Sequence, residues 1–346
     1  ASVTINATVS SGYTWSKWTQ TSGGTQVTTT QKYTFTMGAS NLSYTANATA
    51  NSYTITLNNN SATTNGSLSK TSYSTSTSAQ TVTITLPSRT GYTLSSISVS
   101  GDNANASISS DYKTLTIPAN SYGNITLTAN WTVNPYALNV YAYSDSASST
   151  SFANNATGGT VKIGSGTAGA TASSNVNYGA TAGITATAKT GYTFKGWWTT
   201  ADFSGTAAST SATMTTAAMT TNGLKYYAKF AVNSYTVTLA KGTGISAVSG
   251  AGSYKYGASV TIDATVSSGY TWSKWTQTSG GAQVTTTQKY TFTMGASNLS
   301  YTANATANTD TAYKVEHYQE GLDGTYTKYE TENPSSCFIF KYSLRS

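Results

Sequence analysis

The chain has 346 residues, of which only 8% are charged and 12% are aromatic, including 26 Tyr and 7 Trp. Disordered chains are poor in aromatic and β-branched residues, so this composition excludes a disordered polymer and favours a mainly β protein with a hydroxyl-rich surface. The net charge of +7 does not predict nucleic-acid binding, because the basic residues are spread singly along the sequence rather than clustered.

Cysteine content and hydropathy exclude two further classes. The single Cys337 leaves no intramolecular disulfide. No apolar run approaches the roughly 20 residues of a membrane span, so we expect no membrane insertion. The chain begins inside a strand pattern without a signal peptide, and we therefore expect a fragment or a processed form.

The first 51 residues recur near the other end of the chain. Ala1–Asn51 returns as Ala258–Asn308. The two copies differ only at Asn6/Asp263 and Thr25/Ala282. Near-identity over this length indicates a duplicated structural unit and predicts a tandem array.

Apolar residues alternate with Thr or Asn in many segments. The clearest examples are Val3, Ile5, Ala7 and Val9, then Tyr33, Phe35 and Met37, then Ile125, Leu127, Ala129 and Trp131. A period of two is typical of strands that pack on one face. Gly-rich segments such as Ser22-Gly23-Gly24 predict turns between them. Helix signals are weak, and they leave room for at most one short helix per module.

Two recurring signatures divide the chain into modules. Gly-Tyr-Thr occurs at Gly12, Gly91, Gly191 and Gly269, and strand starts occur at Tyr53, Tyr136, Tyr235 and Tyr313. They predict module 1 (1–52, the C-terminal part of a repeat), module 2 (53–135), module 3 (136–234), module 4 (235–312) and module 5 (313–346, a truncated start). The tail 333–346 matches no other part of the chain, and we expect it to be disordered. Short links between such small modules predict an elongated array.

Several motifs resemble a known family of repeats. Gly191-Tyr-Thr-Phe-Lys-Gly-Trp-Trp198 with Leu224-Lys-Tyr-Tyr-Ala-Lys-Phe230 resembles the Listeria–Bacteroides repeat family, which includes the internalin-type B-repeats. Gly269-Tyr-Thr-Trp-Ser-Lys-Trp275 with Tyr290-Thr-Phe-Thr-Met294 resembles its divergent branch, and Tyr313–Thr327 resembles the start of another repeat from Gram-positive surface proteins. The resemblance implies β-grasp-like modules on secreted or wall-attached proteins. A small Ig-like β-sandwich is the alternative fold.

The sequence offers no catalytic, cofactor-binding or metal-binding constellation. The sole His317 and the sole Cys337 lie in the truncated module 5, so neither a Cys–His pair nor a Ser–His–acid triad is predicted. Closely spaced carboxylates occur only in the same module, where a solvated strand edge explains them. We therefore expect that the chain is not an enzyme and needs no cofactor.

Tryptophan pairs are the candidate ligand-binding residues. They are Trp15 and Trp18, Trp197 and Trp198, and Trp272 and Trp275. Indole rings can stack on sugars, but their recurrence at one position favours a core role for at least one member of each pair.

The repeats lead to two hypotheses about function. The first is a structural stalk or adhesin segment of an extracellular bacterial surface protein. The alternative is a module that binds glycan or a host surface protein through exposed Trp and Tyr. We also expect weak self-association, because Thr-rich neutral strands give little protection against edge-to-edge pairing.

Overall fold

The computed structural model describes residues 1–101, 105–309, 315–320 and 322–332. Within these ranges it contains 31 strands and no helix. Asp102, Tyr313, Cys337 and the predicted disordered tail 333–346 lie outside the described residues, as does the side chain of His317.

The chain divides into two compact units. The first contains Ala1–Tyr136, Asn175–Ala180 and Ala218–Asn222. The second contains Ala137–Ser174, Thr181–Ala217 and Gly223–Ser346.

Modules 1 and 2 lie in the first unit. Module 1 contains β1 (Ser2–Ile5), β2 (Tyr13–Gln20), β3 (Gln26–Thr28), β4 (Tyr33–Thr36) and β5 (Tyr44–Ala50). Module 2 contains β6 (Ser52–Asn58), β7 (Ser67–Leu68), β8 (Ser72–Ser74), β9 (Gln80–Thr85), β10 (Tyr92–Gly101), β11 (Ser107–Ile108), β12 (Thr114–Ile117) and β13 (Ile125–Val133).

Modules 3 and 4 follow, and two short strands lie beyond them. Module 3 contains β14 (Pro135–Ser144), β15 (Ala153–Asn154), β16 (Gly159–Ile163), β17 (Thr171–Asn177), β18 (Gly183–Ala188), β19 (Tyr192–Trp198), β20 (Thr213–Thr215) and β21 (Leu224–Val232). Module 4 contains β22 (Ser234–Lys241), β23 (Ile245–Ser249), β24 (Gly252–Lys255), β25 (Ser259–Val266), β26 (Tyr270–Gln277), β27 (Gln283–Thr285), β28 (Tyr290–Thr293) and β29 (Leu299–Ala307). Then come β30 (Val315–Glu320) and β31 (Tyr326–Glu332), which pair with each other.

Module 2 shows the topology that the whole modules share. Its main sheet has the order β10-β13-β6-β8, so the first and last strands are neighbours in the centre. They run parallel, with Ile55 opposite Ile125 and Leu57 opposite Leu127. The sheets β15-β14-β21-β19 and β24-β22-β29-β26-β27 repeat this arrangement, again with a parallel central pair. This order is β-grasp-like, because Ig-like sandwiches are built from antiparallel sheets.

A second, small sheet packs against the main sheet in each whole module. It is β11-β12-β9-β7 in module 2, β16-β18-β20 in module 3 and β23-β25-β28 in module 4. In module 2 the core between the sheets includes Ile55, Val82, Ile97, Leu115 and Leu127. A small sheet therefore fills the layer in which a single short helix was conceivable from the sequence.

The period-two patterns predicted most of the inward-facing residues. Ile125, Leu127 and Ala129 in β13 are at most 1% exposed, whereas Trp131 is only half-buried. The strand predicted over Val3–Val9 is wrong in its length, because β1 ends at Ile5. In module 4, β22 and β23 lie beside the segments that match residues 1–52.

Candidate functional site

The glycine of each Gly-Tyr-Thr signature lies in the turn directly before a strand of the main sheet. Gly12, Gly91, Gly191 and Gly269 have φ angles between 77° and 84°, in the left-handed region that favours glycine. The tyrosine that follows each glycine is the first residue of β2, β10, β19 or β26. The glycine therefore reverses the chain at one fixed place in every module.

An asparagine locks this turn to the end of the last strand. The N–H of Asn51, Asn134, Asn233 and Asn308 donates to the carbonyl of the glycine at 2.8–2.9 Å. The hydroxyl of the signature threonine donates to the Oδ1 of the same asparagine at 2.6–2.7 Å. Two hydrogen bonds thus fix the residue at which the chain leaves each module.

The same asparagine continues into the following module wherever the structure describes that contact. Its carbonyl accepts the N–H of Thr75 at 3.2 Å, of Tyr178 at 2.9 Å and of Tyr256 at 2.8 Å. The first two bonds lie within the first unit and the third lies within the second. One asparagine therefore forms hydrogen bonds both within its own module and with the module that follows.

A side chain from the following module covers the glycine. The ring of Tyr178 lies over Gly91, and the ring of Tyr256 lies over Gly191, each so close that a Cβ on the glycine would overlap the ring. Each ring also packs edge-on against the signature tyrosine, Tyr92 or Tyr192, with 6.2 Å between centroids. Glycine is required here for close approach as well as for its φ angle.

The junction between modules 3 and 4 has charged residues in addition. Asp145 accepts a hydrogen bond from the N–H of Val232 at 2.7 Å, and its carboxylate lies 3.9 Å from Nζ of Lys255. Lys255 also donates to the carbonyl of Ser146 at 3.2 Å. Burial, then the charge of Asp145 and the neighbouring Tyr256, raises the pKa of Tyr192, which keeps its phenol neutral.

The tryptophan pairs of modules 1 and 4 share one geometry. A β-bulge follows Trp15 in β2 and Trp272 in β26. Residues three apart in a regular strand face opposite sides, and the extra residue of the bulge brings the pair together. The ring centroids are 5.4 Å apart for Trp15 and Trp18 and 5.5 Å apart for Trp272 and Trp275.

One tryptophan of each of these pairs is a core residue. Trp18 is 7% exposed and Trp275 is fully buried. Trp15 and Trp272 are half-buried, and their Nε1 atoms donate to the carbonyls of Thr29 and Thr286 at 2.7 Å. Each of these two pairs therefore has one buried member and one half-buried member.

In module 3, Trp197 and Trp198 have different aromatic neighbours. Trp197 is fully buried and packs on Phe194 at 5.8 Å, so Phe194 takes the place of Trp15. Adjacent residues of a strand point to opposite faces, which separates Trp198 from this core. Trp198 packs instead on Phe203, with 5.4 Å between ring centroids.

Trp198 belongs to an aromatic cluster on the other face of the main sheet. The aromatic cluster contains Tyr141, Tyr143, Phe152, Trp198, Phe203 and Tyr227, all half-buried. The ammonium of Lys229 lies 4.4 Å from the ring of Phe152 and 4.9 Å from that of Phe203, in cation–π contact. Within the described residues, the buried Nε1 of Trp198 has no hydrogen-bond partner.

Asp111 and Asp202 accept hydrogen bonds within turns. Hydrogen bonds from Ser109 and from the backbone of Lys113 lower the pKa of Asp111, and bonds from Ser204 and Thr200 lower that of Asp202. No group of three His, Cys, Asp or Glu that could hold a metal ion occurs in the described ranges. The same ranges contain no helix that is long and apolar enough to cross a membrane.

The sequence pointed to the junctions only in part. The Gly-Tyr-Thr signature was recognised as a recurring feature of the modules, but its partner asparagine and the covering tyrosine were missed. A usable signal was present in Asn51-Ser-Tyr, Asn134-Pro-Tyr and Asn233-Ser-Tyr at the module ends, and in Tyr178-Gly and Tyr256-Gly.

Together, the modules and their junctions define a tandem repeat protein built from β-grasp-like units. A model of the divergent InlB B-repeat domain matches residues 1–52, 53–135, 150–234 and 235–309. The chain therefore belongs to the divergent InlB B-repeat family, as the resemblance indicated. Repeats of this family occur in bacterial surface proteins.

Two further comparisons complete the picture. Among solved structures, the Bacillus anthracis TIE protein is similar at 9% identity over 88% of this chain and 68% of that chain, with a TM-score of 0.37. A search for relatives among curated proteins finds no match.

Proposed function

We propose that the chain is a structural stalk or adhesin segment of a secreted or cell-wall-associated bacterial surface protein, with no catalytic activity. The observation that carries this proposal is the repeated junction, in which one asparagine closes a module and holds the next. A stalk needs links that bend little. The links after modules 2 and 3 combine hydrogen bonds with a tyrosine ring that lies over a glycine, and in the link after module 1 Thr75 lies over Gly12. Its role is to hold a binding region away from the cell.

The stiffness of one junction tests this proposal. Spin labels at Thr206→Cys and Ser297→Cys, in a Cys337→Ser background, report the distance distribution across the junction of modules 3 and 4. Both labelled positions are exposed and lie in the second unit. We expect a narrow distribution that broadens when Tyr256→Ala removes the covering ring.

A matched substitution distinguishes the loss of the junction contact from a general loss of stability in module 4. Tyr290→Ala removes a half-buried tyrosine from β28, away from the glycine seat, and should leave the distribution narrow. A broad distribution in the unsubstituted chain, or equal broadening by both variants, would contradict a stiff link.

The proposed location on the cell surface is tested separately. Antibodies against modules 2 and 3 should label intact cells that express the gene, and externally added protease should remove the signal. Labelling only after lysis would contradict a surface location.

The aromatic cluster of module 3 favours the second candidate, binding of glycan or a host surface protein. Tyr, Phe and Trp rings around one lysine resemble sites that stack on sugars. On a glycan array, Trp198→Ala should abolish any binding that this cluster provides. Trp272→Ala, at the half-buried outer position of module 4, is the control.

A further inference from the structure

In each whole module the chain enters and leaves through two strands that are neighbours in the main sheet. The first and last strands are β6 and β13 in module 2, β14 and β21 in module 3, and β22 and β29 in module 4. Each of these pairs is parallel. Because parallel strands point the same way, the start of the first strand and the end of the last strand lie at opposite ends of the pair.

Single residues connect one such pair to the next. Asn134 lies between β13 and β14, and Asn233 lies between β21 and β22. A load applied to the array therefore reaches each module at the start of its first strand and leaves it at the end of its last strand. The load is directed along the two strands.

This geometry loads the hydrogen bonds between the two strands in shear. The bonds of a parallel pair are evenly spaced along the strands. Sliding one strand past the other stretches all of these bonds together, whereas pulling the strands apart from one end breaks them one after another. Shear needs the larger force, because the whole ladder of bonds shares the load.

The three parallel ladders differ in length. Four residues of β6, Ile55–Asn58, are opposite residues of β13. Five residues of β22, Val237–Lys241, are opposite β29, and seven residues of β14, Leu138–Ser144, are opposite β21. Because a longer ladder divides the load among more hydrogen bonds, module 3 should resist more force than modules 4 and 2.

Side chains cover both faces of the long ladder in module 3. On the inner face Val140 is fully buried. On the outer face Tyr141 and Tyr227 are opposite each other, and their rings stack with 5.2 Å between centroids. The pair at the same place in module 4 is Ala240 and Thr302, which have no rings. Hydrogen bonds shielded from water are electrostatically stronger, so this cover adds to the resistance of module 3.

We propose that the first and last strands of each whole module form a clamp that resists tension, and that the clamp of module 3 is the strongest of the three. The protein thereby bears a load applied at its two ends, as when a cell is pulled from a surface, without losing its folded modules. The inference rests on the proposed stalk function for its biological use, whereas the clamp itself is a property of each module.

Pulling one module in two directions tests the proposal. In a Cys337→Ser background, handles are attached to the full chain through two pairs of cysteines that share Ala137→Cys. Ala137 and Lys225 lie at one end of the β14–β21 pair, and Ala231 lies at the other end. Ala137→Cys with Ala231→Cys therefore loads the ladder in shear. Ala137→Cys with Lys225→Cys pulls the two strands apart from one end.

We expect the mean unfolding force of module 3 in optical tweezers to be at least about twofold higher in shear, because forced unfolding follows the unfolding barrier. The urea midpoint of each variant checks that the two chains are equally stable. Equal forces in the two directions, or a lower force in shear, would overturn the proposal. Such a result would leave the stalk function standing if spin labels still showed a stiff junction.

Pulling the unsubstituted chain from its two ends tests the predicted order of the modules. Module 3 is the longest of the three, so its unfolding releases the most chain and identifies the event. We expect it to unfold at a higher force than modules 2 and 4. Unfolding of module 3 before either of them would contradict the order.

A matched pair of substitutions tests the contribution of the stacked rings. Tyr227→Thr gives β21 the side chain that Thr302 has in module 4, and it should lower the unfolding force of module 3 toward that of module 4. Lys225→Thr changes an exposed residue on the same face of the same strand and should leave the force unchanged. Equal effects of the two substitutions would show that the rings do not strengthen the clamp.

Discussion

Residues 1–51 and 258–308 have the same sequence at all but two positions, yet they differ in structure. The strand Ser259–Val266 of module 4 corresponds to the shorter Ser2–Ile5 in module 1. The last strand begins at Leu299 in module 4 but only at Tyr44 in module 1, two residues later in the shared sequence. Met294 is fully buried, whereas its counterpart Met37 is 37% exposed.

The difference indicates that the length of these strands depends on pairing with neighbouring strands. Strands β22 and β23 pair with β29 and β25 in module 4, and the additional strand residues are found where these partners lie. A β-strand depends on packing against cross-strand neighbours more than on intrinsic preference. Module 1 keeps its turns and its tryptophan pair, but within the described residues its strand β5 pairs only with β2.

The largest expected effect comes from the core tryptophan. Trp275→Ala should destabilise module 4 by about 3–5 kcal/mol, the usual cost of removing a fully buried large aromatic side chain. Trp18→Ala should cost less, because the layer above it is incomplete in module 1. Hydrogen exchange in low denaturant, read in peptides that contain Asn6 or Asp263, measures both losses. If the two substitutions cost the same free energy of unfolding, β22 and β23 would not contribute to the stability that the core tryptophan provides.

A second comparison uses Met37 and Met294, which occupy the same place in the two copies but differ in exposure. Met294→Ala should destabilise module 4 by about 2–3 kcal/mol, since it removes a fully buried side chain. Met37→Ala should stay within about 0.5 kcal/mol, as surface substitutions usually do. Hydrogen exchange at increasing denaturant concentration gives an unfolding midpoint for each module. Equal shifts of the two midpoints would contradict this comparison.

High pH provides a third comparison. Burial, with a smaller effect of Tyr290, raises the pKa of Tyr301. An unfolded tyrosine titrates near pH 10, so the stabilisation is complete below that pH and is lost as the pH rises through the raised pKa of the folded state. We expect the urea midpoint of module 4 to fall between pH 9 and about 11 and to fall less in Tyr301→Phe. Tyr44→Phe in module 1 controls for loss of a hydroxyl, and an unchanged fall in Tyr301→Phe would contradict the assignment.

The sequence predicted the features that depend on local pattern. Alternation identified β13, and the recurring Tyr53, Tyr136 and Tyr235 located the starts of β6, β14 and β22 to within one residue. The Gly-Tyr-Thr glycine, which marked each module in the sequence, has a positive φ angle in the structure. These signals are local because alternation follows from the pleat and a positive φ follows from glycine.

The features that sequence reasoning missed depend on contacts between distant residues. The bulge in β19 makes Phe194 the partner of Trp197 and directs Trp198 to the other face, and a strict period of two cannot show this. The bond from Thr193 to Asn233 and the seating of Tyr256 on Gly191 join residues far apart in the chain.

The smallest expected effect tests whether the two sequence differences or the neighbouring strands cause the structural difference between residues 1–51 and 258–308. Asp263→Asn with Ala282→Thr gives module 4 the same 51-residue sequence as module 1. The Asp263 side chain accepts a hydrogen bond from its neighbouring Ala264 N–H at 2.8 Å, and the substitutions remove no large buried group, so we expect a change within about 0.5 kcal/mol. Peptides that extend past Asn51 or Asn308 still distinguish the copies by mass in exchange experiments. If protection in β29 fell to that of β5, the two substituted positions would explain the difference. If it persisted, the strands that pair with β25 and β29 would be its cause.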